Sequence, residues 1–207
     1  MDPGLVTVGP DGARRCWWGS EPAEYRRYHD QEWGFGVTGE ERLFEKICLE
    51  GFQAGLSWLT VLRKRQNFRE AFSGFDPALV VEYGERDIER LMVNAGIIRH
   101  RGKIRSVINN AARAQEMRAS HGSLSVFFWE WAEFESAPLR APPPALTRAS
   151  TALAKELRRR GWTFIGPTTC YAFMQAMGLV NDHMDSCWVR EEAEASRRRA
   201  AAKVLNR

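Results

Sequence analysis

Trp162-Thr163-Phe164-Ile165-Gly166-Pro167-Thr168-Thr169 lies between two helical patterns. Upstream, Ser150 is placed to cap a helix that Gly161 ends; downstream, Thr168 to Met177 reads as a helix ended by Gly178. Glycine just before a helix N-terminus leaves backbone N–H groups open. With the helix dipole, these groups suit one phosphate. Many turns between helices contain glycine, so the pattern leaves a plain structural turn open as well.

Outward from this hairpin, helix signals dominate. Thr38-Gly39-Glu40-Glu41 reads as a capping box with Thr38 as N-cap. Asp76-Pro77 is an N-cap followed by proline at the first helical position. Glu85 to Ala95 reads as a short helix ended by Gly96. After Gly102, apolar residues recur at Ile104, Val107, Ile108, Ala111 and Ala112, and another helix runs from Ser123 through Phe127, Phe128 and Trp131. No alternating strand pattern is found. The expected class is all-α, in two helical lobes. Residues 1–14, with Gly4, Gly9, Pro10 and Gly12, read as a flexible leader. A Pro-rich linker around 136–149 holds Pro138 and Pro142-Pro143-Pro144, and 188–207 forms a basic tail. The helical domain is therefore expected over 15–187.

The 207 residues are 44% hydrophobic and 27% charged, ordinary globular usage that excludes a disordered or fibrous chain. No apolar run approaches the ~20 residues that span a bilayer. The N-terminus lacks a basic segment followed by an apolar one, so a cytoplasmic protein is expected. In a reducing compartment, the four cysteines point to metal ligation or burial rather than disulfides. The net charge of +4 permits a polyanion partner. From Ile97 to Arg118, six bases (Arg99, Arg101, Lys103, Arg105, Arg113, Arg118) face one acid, Glu116. Residues 188–207 carry six bases and three acids. Either run reads as a solvated helix face or as a contact for phosphates.

Two constellations carry chemistry. Cys16 and His29, with His183-x₃-Cys187, form a Cys₂His₂ set of the kind a tetrahedral structural zinc requires. The competing reading is two buried cysteines and two ordinary histidines. Cys48 and Cys170 fall in apolar patterns and read as core, while His100 and His121 read as surface. The second is Glu50, which continues the stripe Leu43, Ile47, Ala54 and so faces inward. A carboxylate there is costly unless paired, either with an internal arginine or with the N–H groups of a ligand. Gly51 and Gly55 before Trp58 read as a bend that lets something flat approach. Several tryptophans beside polar residues suit a flat aromatic pocket.

These residues carry a resemblance. The segments are Arg15-Cys16 with Trp18, Tyr25 through Tyr28-His29-Asp30 to Trp33-Gly34, Cys48-Leu49-Glu50-Gly51 with Gln53-Ala54-Gly55-Leu56-Ser57-Trp58, Ala95 to Ile104, and Cys170 to His183. In this order, over roughly 15–187, the chain resembles the bacterial 3-methyladenine DNA glycosylase I family. The resemblance implies a two-lobed helix-hairpin-helix fold with a zinc clip on Cys16, His29, His183 and Cys187, joining the two ends of the domain. It implies a base pocket of Glu50, Tyr28 and Trp58 with Tyr25, Trp18 and Trp33 nearby, and Glu50 as the catalytic group. It puts Gln53, Gly55 and Leu56 in the loop that probes the DNA stack. Gly166 and Thr168, with Lys103, would contact phosphates. The expected partner is double-stranded DNA containing alkylated adenine, with free 3-methyladenine as product and the protein a monomer. Phe52 departs from the family pattern beside the probing loop. Asp182 is given no catalytic role, because it adjoins a zinc ligand.

An N3-alkylated adenine is cationic, so it departs as a neutral base and needs no strong acid. The enzyme must flip and select it. A strand-nicking lyase would need a pocket lysine, and segment 50–58 has none; Lys64 and Lys103 are the nearest by sequence. A zinc-clipped DNA-binding module would bind DNA without releasing base.

Overall fold

The computed structural model describes residues 5–134 and 139–205. Gly4 and Pro138, with residues 1–3, 135–137 and 206–207, lie outside the described residues, so those parts of the leader, linker and tail do too.

Among the described residues, the elements run in the order β1 (Val6–Val8), β2 (Arg14–Cys16), α1 (Ala23–Gln31), α2 (Glu40–Gln53), α3 (Trp58–Ala71), α4 (Pro77–Val80), α5 (Glu85–Val93), α6 (Arg101–His121), α7 (Leu124–Trp129), α8 (Arg148–Arg159), α9 (Pro167–Ala176) and α10 (Arg190–Leu205). The molecule is mostly helical, as expected. No helix among the described residues is long and apolar enough to cross a membrane.

Helix α2 is central. Every residue from Leu43 to Phe52 is buried, and the helix packs on α3, α6, α7 and α9. Two acids in its first turn, Glu40 and Glu41, favour its N-terminus through the helix dipole. The N-cap is Gly39 rather than the expected Thr38, with no side-chain cap. Glu40 instead accepts from the Ser125 N–H at 3.3 Å and pairs with Arg118, so tertiary partners take over from a local box. Asp76 caps α4 as expected, accepting from Ala78 N at 2.8 Å ahead of Pro77. Ser123 caps α7. Helix α8 starts earlier than the sequence reading puts it. Thr147 is its N-cap, and Ser150 answers three residues on by accepting from Thr147 N at 2.9 Å.

Three segments read as a flexible leader, an extended linker and a solvated helix are built into the structure. Within the leader, β1 pairs antiparallel with β2, Val6 opposite Cys16, across a turn where Gly12 takes φ +75°. Three-residue strands are too short for alternation to be visible. In the linker, Leu139 bridges to Met184 and its carbonyl accepts from Asp185 N at 2.9 Å. The tail is α10, and one face of it is core: Ala193, Arg197, Ala200 and Val204 are buried. It lies directly on Gly36, where a Cβ would come within 2.6 Å of Ala200.

Arg197 is 1% exposed. It donates to the carbonyls of Gly178 at 2.7 Å, Leu179 at 2.8 Å and Glu133 at 2.6 Å, and pairs with Glu194 at 2.7 Å. One guanidinium thereby satisfies three buried carbonyls that the end of α9 and the chain after α7 leave open. Arg197→Ala is expected to lower unfolding free energy by about 3–5 kcal/mol, the usual cost of breaking a buried charged network. Urea unfolding checks this; a change under about 1 kcal/mol would return α10 to the status of a solvated tail.

Candidate functional site

A cavity of about 300 Å³ opens beside α2, lined by Trp17, Trp18, Tyr25, Tyr28, Trp33, Glu50, Gln53 and Trp58 together with Lys46, Pro143, Ala172, Gln175 and Asp182. All six residues expected of the base pocket therefore line one wall system. Helix α1 presents Tyr25 and Tyr28 one turn apart. The Tyr25 hydroxyl accepts from Leu59 N at 2.9 Å, which ties α1 to the first turn of α3 beside Trp58. Trp18 meets Tyr25, Trp33 and His29 edge-on, at centroid distances of 5.9, 5.0 and 5.2 Å. The Trp58 indole N–H is buried with no hydrogen-bond partner among the described residues.

Glu50 is buried, as its stripe implies, but its partner is not an arginine. Lys46 Nζ lies 2.6 Å from Glu50 Oε1, donates to the Tyr28 hydroxyl at 2.8 Å and sits 3.2 Å from the centre of the Trp58 ring. Burial pulls the Lys46 ammonium down to about 8, against the opposing pull of Glu50. Burial, then the Glu50 charge, holds the Tyr28 phenol well above its ordinary value. Lys46 is the residue that sequence reasoning missed. It lies one turn before Glu50 on the same inward face, so the i,i+4 spacing carried the signal. The pocket thus does contain a lysine, outside the 50–58 segment in which none occurs.

Also lining the cavity, Asp182 Oδ2 accepts from the Tyr171 hydroxyl at 2.5 Å and from Gln175 Nε2 at 2.7 Å. Hydrogen bonds from two side chains fix this carboxylate at the cavity edge.

Behind Trp18 and Trp33, Cys16, His29, His183 and Cys187 converge, fully buried, with ligand atoms all within 4.8 Å of one another. Cys187 Sγ is 3.5 Å from both His29 Nε2 and His183 Nδ1, and Cys16 Sγ is 3.7 Å from His183 Nδ1. A tetrahedron with bonds of about 2.0–2.3 Å has edges of about 3.3–3.8 Å, so this donor set fits zinc. The outer nitrogens are also committed. His29 Nδ1 lies 2.8 Å from Asp30 and His183 Nε2 2.9 Å from the Trp33 carbonyl, which turns the other nitrogen of each ring inward. Gly19 and Gly34 make room: a Cβ there would fall 2.4 Å from the His29 ring and 2.8 Å from the His183 ring.

The expected DNA-facing residues are arranged differently from one another. Leu56 is exposed at the tip of a turn where Gly55 takes φ +82°. Gly51 is not part of that bend; it is helical and faces Phe164 of the hairpin. Gly166 is the N-cap of α9 without a side-chain cap, and Pro167 has no N–H, so the N–H groups of Thr168 and Thr169 meet no capping side chain. Asn110 clamps the hairpin, accepting from Thr163 N at 2.9 Å and donating to its carbonyl at 3.1 Å. Lys103 departs from expectation. Its ammonium donates to the carbonyls of Phe52 at 2.9 Å and Ala54 at 2.7 Å, at the end of α2. Phe52 points into the core against Phe68 and Phe72, away from the probing turn.

The family profile described as methyladenine glycosylase matches residues 17–191. The chain belongs to the methyladenine glycosylase family. It is 49% identical over 177 residues to DNA-3-methyladenine glycosylase 1 of Escherichia coli strain K12, covering 84% of this chain and 95% of that one. It is 46% identical over 177 residues to DNA-3-methyladenine glycosylase of Haemophilus influenzae, covering 84% and 96%. A Staphylococcus aureus 3-methyladenine DNA glycosylase I, solved to explain 3-methyladenine recognition, superposes with a TM-score of 0.77 at 33% identity, over 83% of this chain and 94% of that one. The family match begins just after Cys16 and ends at the start of α10, so β1 and most of α10 lie outside it.

The Lys103 geometry makes a prediction. Lys103→Met leaves two carbonyls without their donor and is expected to cost about 1–3 kcal/mol, with faster amide exchange over 53–57. Denaturant unfolding and hydrogen exchange check it. Unchanged stability with weakened DNA binding would restore the phosphate-contact reading.

Proposed function

We propose that the protein is a DNA base-excision repair enzyme that hydrolyses the N-glycosidic bond of 3-methyladenine in double-stranded DNA. It would act as a monomer in the cytoplasm, at the nucleoid. The observation that carries this is a buried carboxylate, Glu50, in a cavity to which Trp17, Trp18, Tyr25, Tyr28, Trp33 and Trp58 all contribute aromatic rings. Membership of the family and the activity named for its relatives in Escherichia coli and Haemophilus influenzae support it. In this reading, α8, the turn at Gly166 and α9 act as the helix-hairpin-helix of a two-lobed glycosylase, holding the backbone at a helix N-terminus. Leu56 and Gln53 face the gap that the flipped nucleotide leaves, and the base enters the cavity.

N3-methylation puts positive charge on the adenine, and breaking the glycosidic bond moves that charge to the sugar. Selection therefore rests on recognising a cation. Glu50 accepts from the base's amino edge and Trp58 offers its π-face. Water completes hydrolysis. The Lys46 ammonium is tied to the Glu50 carboxylate and the Tyr28 hydroxyl, and on that engagement the enzyme is read as monofunctional. Borohydride trapping on abasic DNA tests this directly, since a lyase would leave a covalent adduct.

Cys16, His29, His183 and Cys187 would hold one structural zinc, with no open position for chemistry. Freshly purified protein is expected to contain one zinc per chain. Cys187→Ala should lose the metal and melt at lower temperature, with Asp30, Trp33 and Trp18 losing their anchor. Elemental analysis finding no zinc in the parental protein would refute the clip.

Glu50→Gln keeps the side-chain shape but removes its charge. One charge-assisted hydrogen bond is worth about 1.5–3 kcal/mol, and about 1.36 kcal/mol is tenfold in rate. Single-turnover release of 3-methyladenine from methylated DNA is expected to fall roughly 10- to 1000-fold, with the circular dichroism spectrum retained. A folded variant excising at the parental rate would remove Glu50 from the chemistry.

A further inference from the structure

Lys46 already contacts the three residues at the centre of the expected base pocket, Glu50, Tyr28 and Trp58. Its ammonium is paired with Glu50, hydrogen-bonded to the Tyr28 hydroxyl, and placed over the Trp58 ring. At 3.2 Å from the ring centre it lies where the plane of a stacked base would lie, about 3.5 Å away. The Tyr28 and Trp58 ring centres are 5.6 Å apart and tilted by 45°. A planar base held between two rings needs them about 7 Å apart. The face of Trp58 that the cavity offers a base is thus covered by a cation of the protein's own.

Lys46 also borders a second cavity. This space, about 160 Å³, shares Tyr28, Lys46 and Trp58 with the base cavity and is lined by Glu32, Glu45 and Arg65 among others. Glu32 is held by Arg65 at 2.5 Å and Glu45 by Arg42 at 2.6 Å, so both carboxylates are already partnered. The charged groups around the ammonium are thus Glu50, Glu45 and Arg42 on α2, Glu32 after α1 and Arg65 on α3, with Asp182 also lining the base cavity.

Resting on the proposed base pocket, we propose that Lys46 is a resident occupant of the base site, and that a base binds by expelling the Lys46 ammonium from Glu50, Tyr28 and Trp58 toward the second cavity. Binding is then an exchange of one cation for another. Every base must meet the cost of displacing Lys46. Only a base that brings its own positive charge restores what Glu50 and Trp58 lose, while undamaged adenine leaves that cost standing. Lys46 thereby sets a threshold that a neutral base does not cross.

The test uses 3,9-dimethyladeninium, a fixed cation standing in for the N3-methylated base, and neutral 9-methyladenine, with affinities measured by calorimetry on the full-length protein. Lys46→Met removes the ammonium and keeps the side-chain length. It is expected to bind both probes at least tenfold more tightly than the parent. The parent's affinity for the cation should rise as pH goes from 7 to 9, through the Lys46 titration near 8, because the neutral amine is easier to expel. In Lys46→Met that rise should vanish. Trp58→Ala serves as the control for the pocket itself. If Trp58→Ala loses binding while Lys46→Met binds equally or more weakly, Lys46 is a support for Glu50 and the exchange is refuted. A flat pH profile in the parent refutes it without any variant. If Trp58→Ala binds like the parent, the base pocket itself is misassigned and the exchange falls with it.

Discussion

A carboxylate sealed among aromatic rings has lost its water and must be repaid by a partner held in place. That requirement, at Glu50, organises the centre of this protein. Its partner comes from one turn earlier on the same helix, and Lys46 in turn needs acceptors of its own. The Tyr28 hydroxyl and the Trp58 face supply them, which fixes α1 and α3 against α2. Buried pairs of this kind contribute little net stability, because desolvation offsets most of the Coulomb gain. Their effect is to specify one arrangement. The apolar side of α2, with Leu43, Ile47 and Leu49 fully buried, supplies the stability that holds the polar side in register.

The same rings connect the cavity to the Cys and His cluster. Trp18 touches Tyr25 and Tyr28 on one side and His29 on the other, and Trp33 stands 4.7 Å from His183 between ring centres. The four donors come from β2, α1 and the segment before α10, so the two ends of the chain meet behind the pocket wall. Whatever holds the donors together also holds the aromatic wall. The β1–β2 ribbon and α10 extend this closure. β1 pairs with the strand that delivers Cys16, and α10 carries the arginine that closes the carbonyls after α9.

Charge along the chain proved a poor guide to charge in space. Of the basic run on α6, Arg101 pairs with Glu85 and Glu89, Arg105 with Glu85, Arg113 with Glu116 and Arg118 with Glu40. Lys103 points inward. Exposed pairs are weak, on the order of 1 kcal/mol or less, so phosphates could still compete for these arginines. The fixed groups aimed outward are instead backbone N–H groups at the start of α9 and the side chain of Leu56.

Helical class, the Asp76 cap, the inward face of Glu50 and the Cys₂His₂ donor types were legible in the sequence. Each depends on residues three or four apart, or on the chemistry of one side chain. The resemblance carried by the longer segments supplied the grouping of Tyr25, Tyr28, Trp18, Trp33 and Trp58 into one pocket, which spacing alone does not give. Tertiary structure decided the rest. Thr38 lost its cap because Glu40 found Ser125 and Arg118 across the fold. Lys103 turned to the end of α2 because the last carbonyls of that helix, those of Phe52 and Ala54, lack an intrahelical donor. Arg197 went into the core for the same reason. Lys46 took the face of Trp58 because a buried ammonium seeks every acceptor within reach, and those acceptors come from helices that only folding brings together.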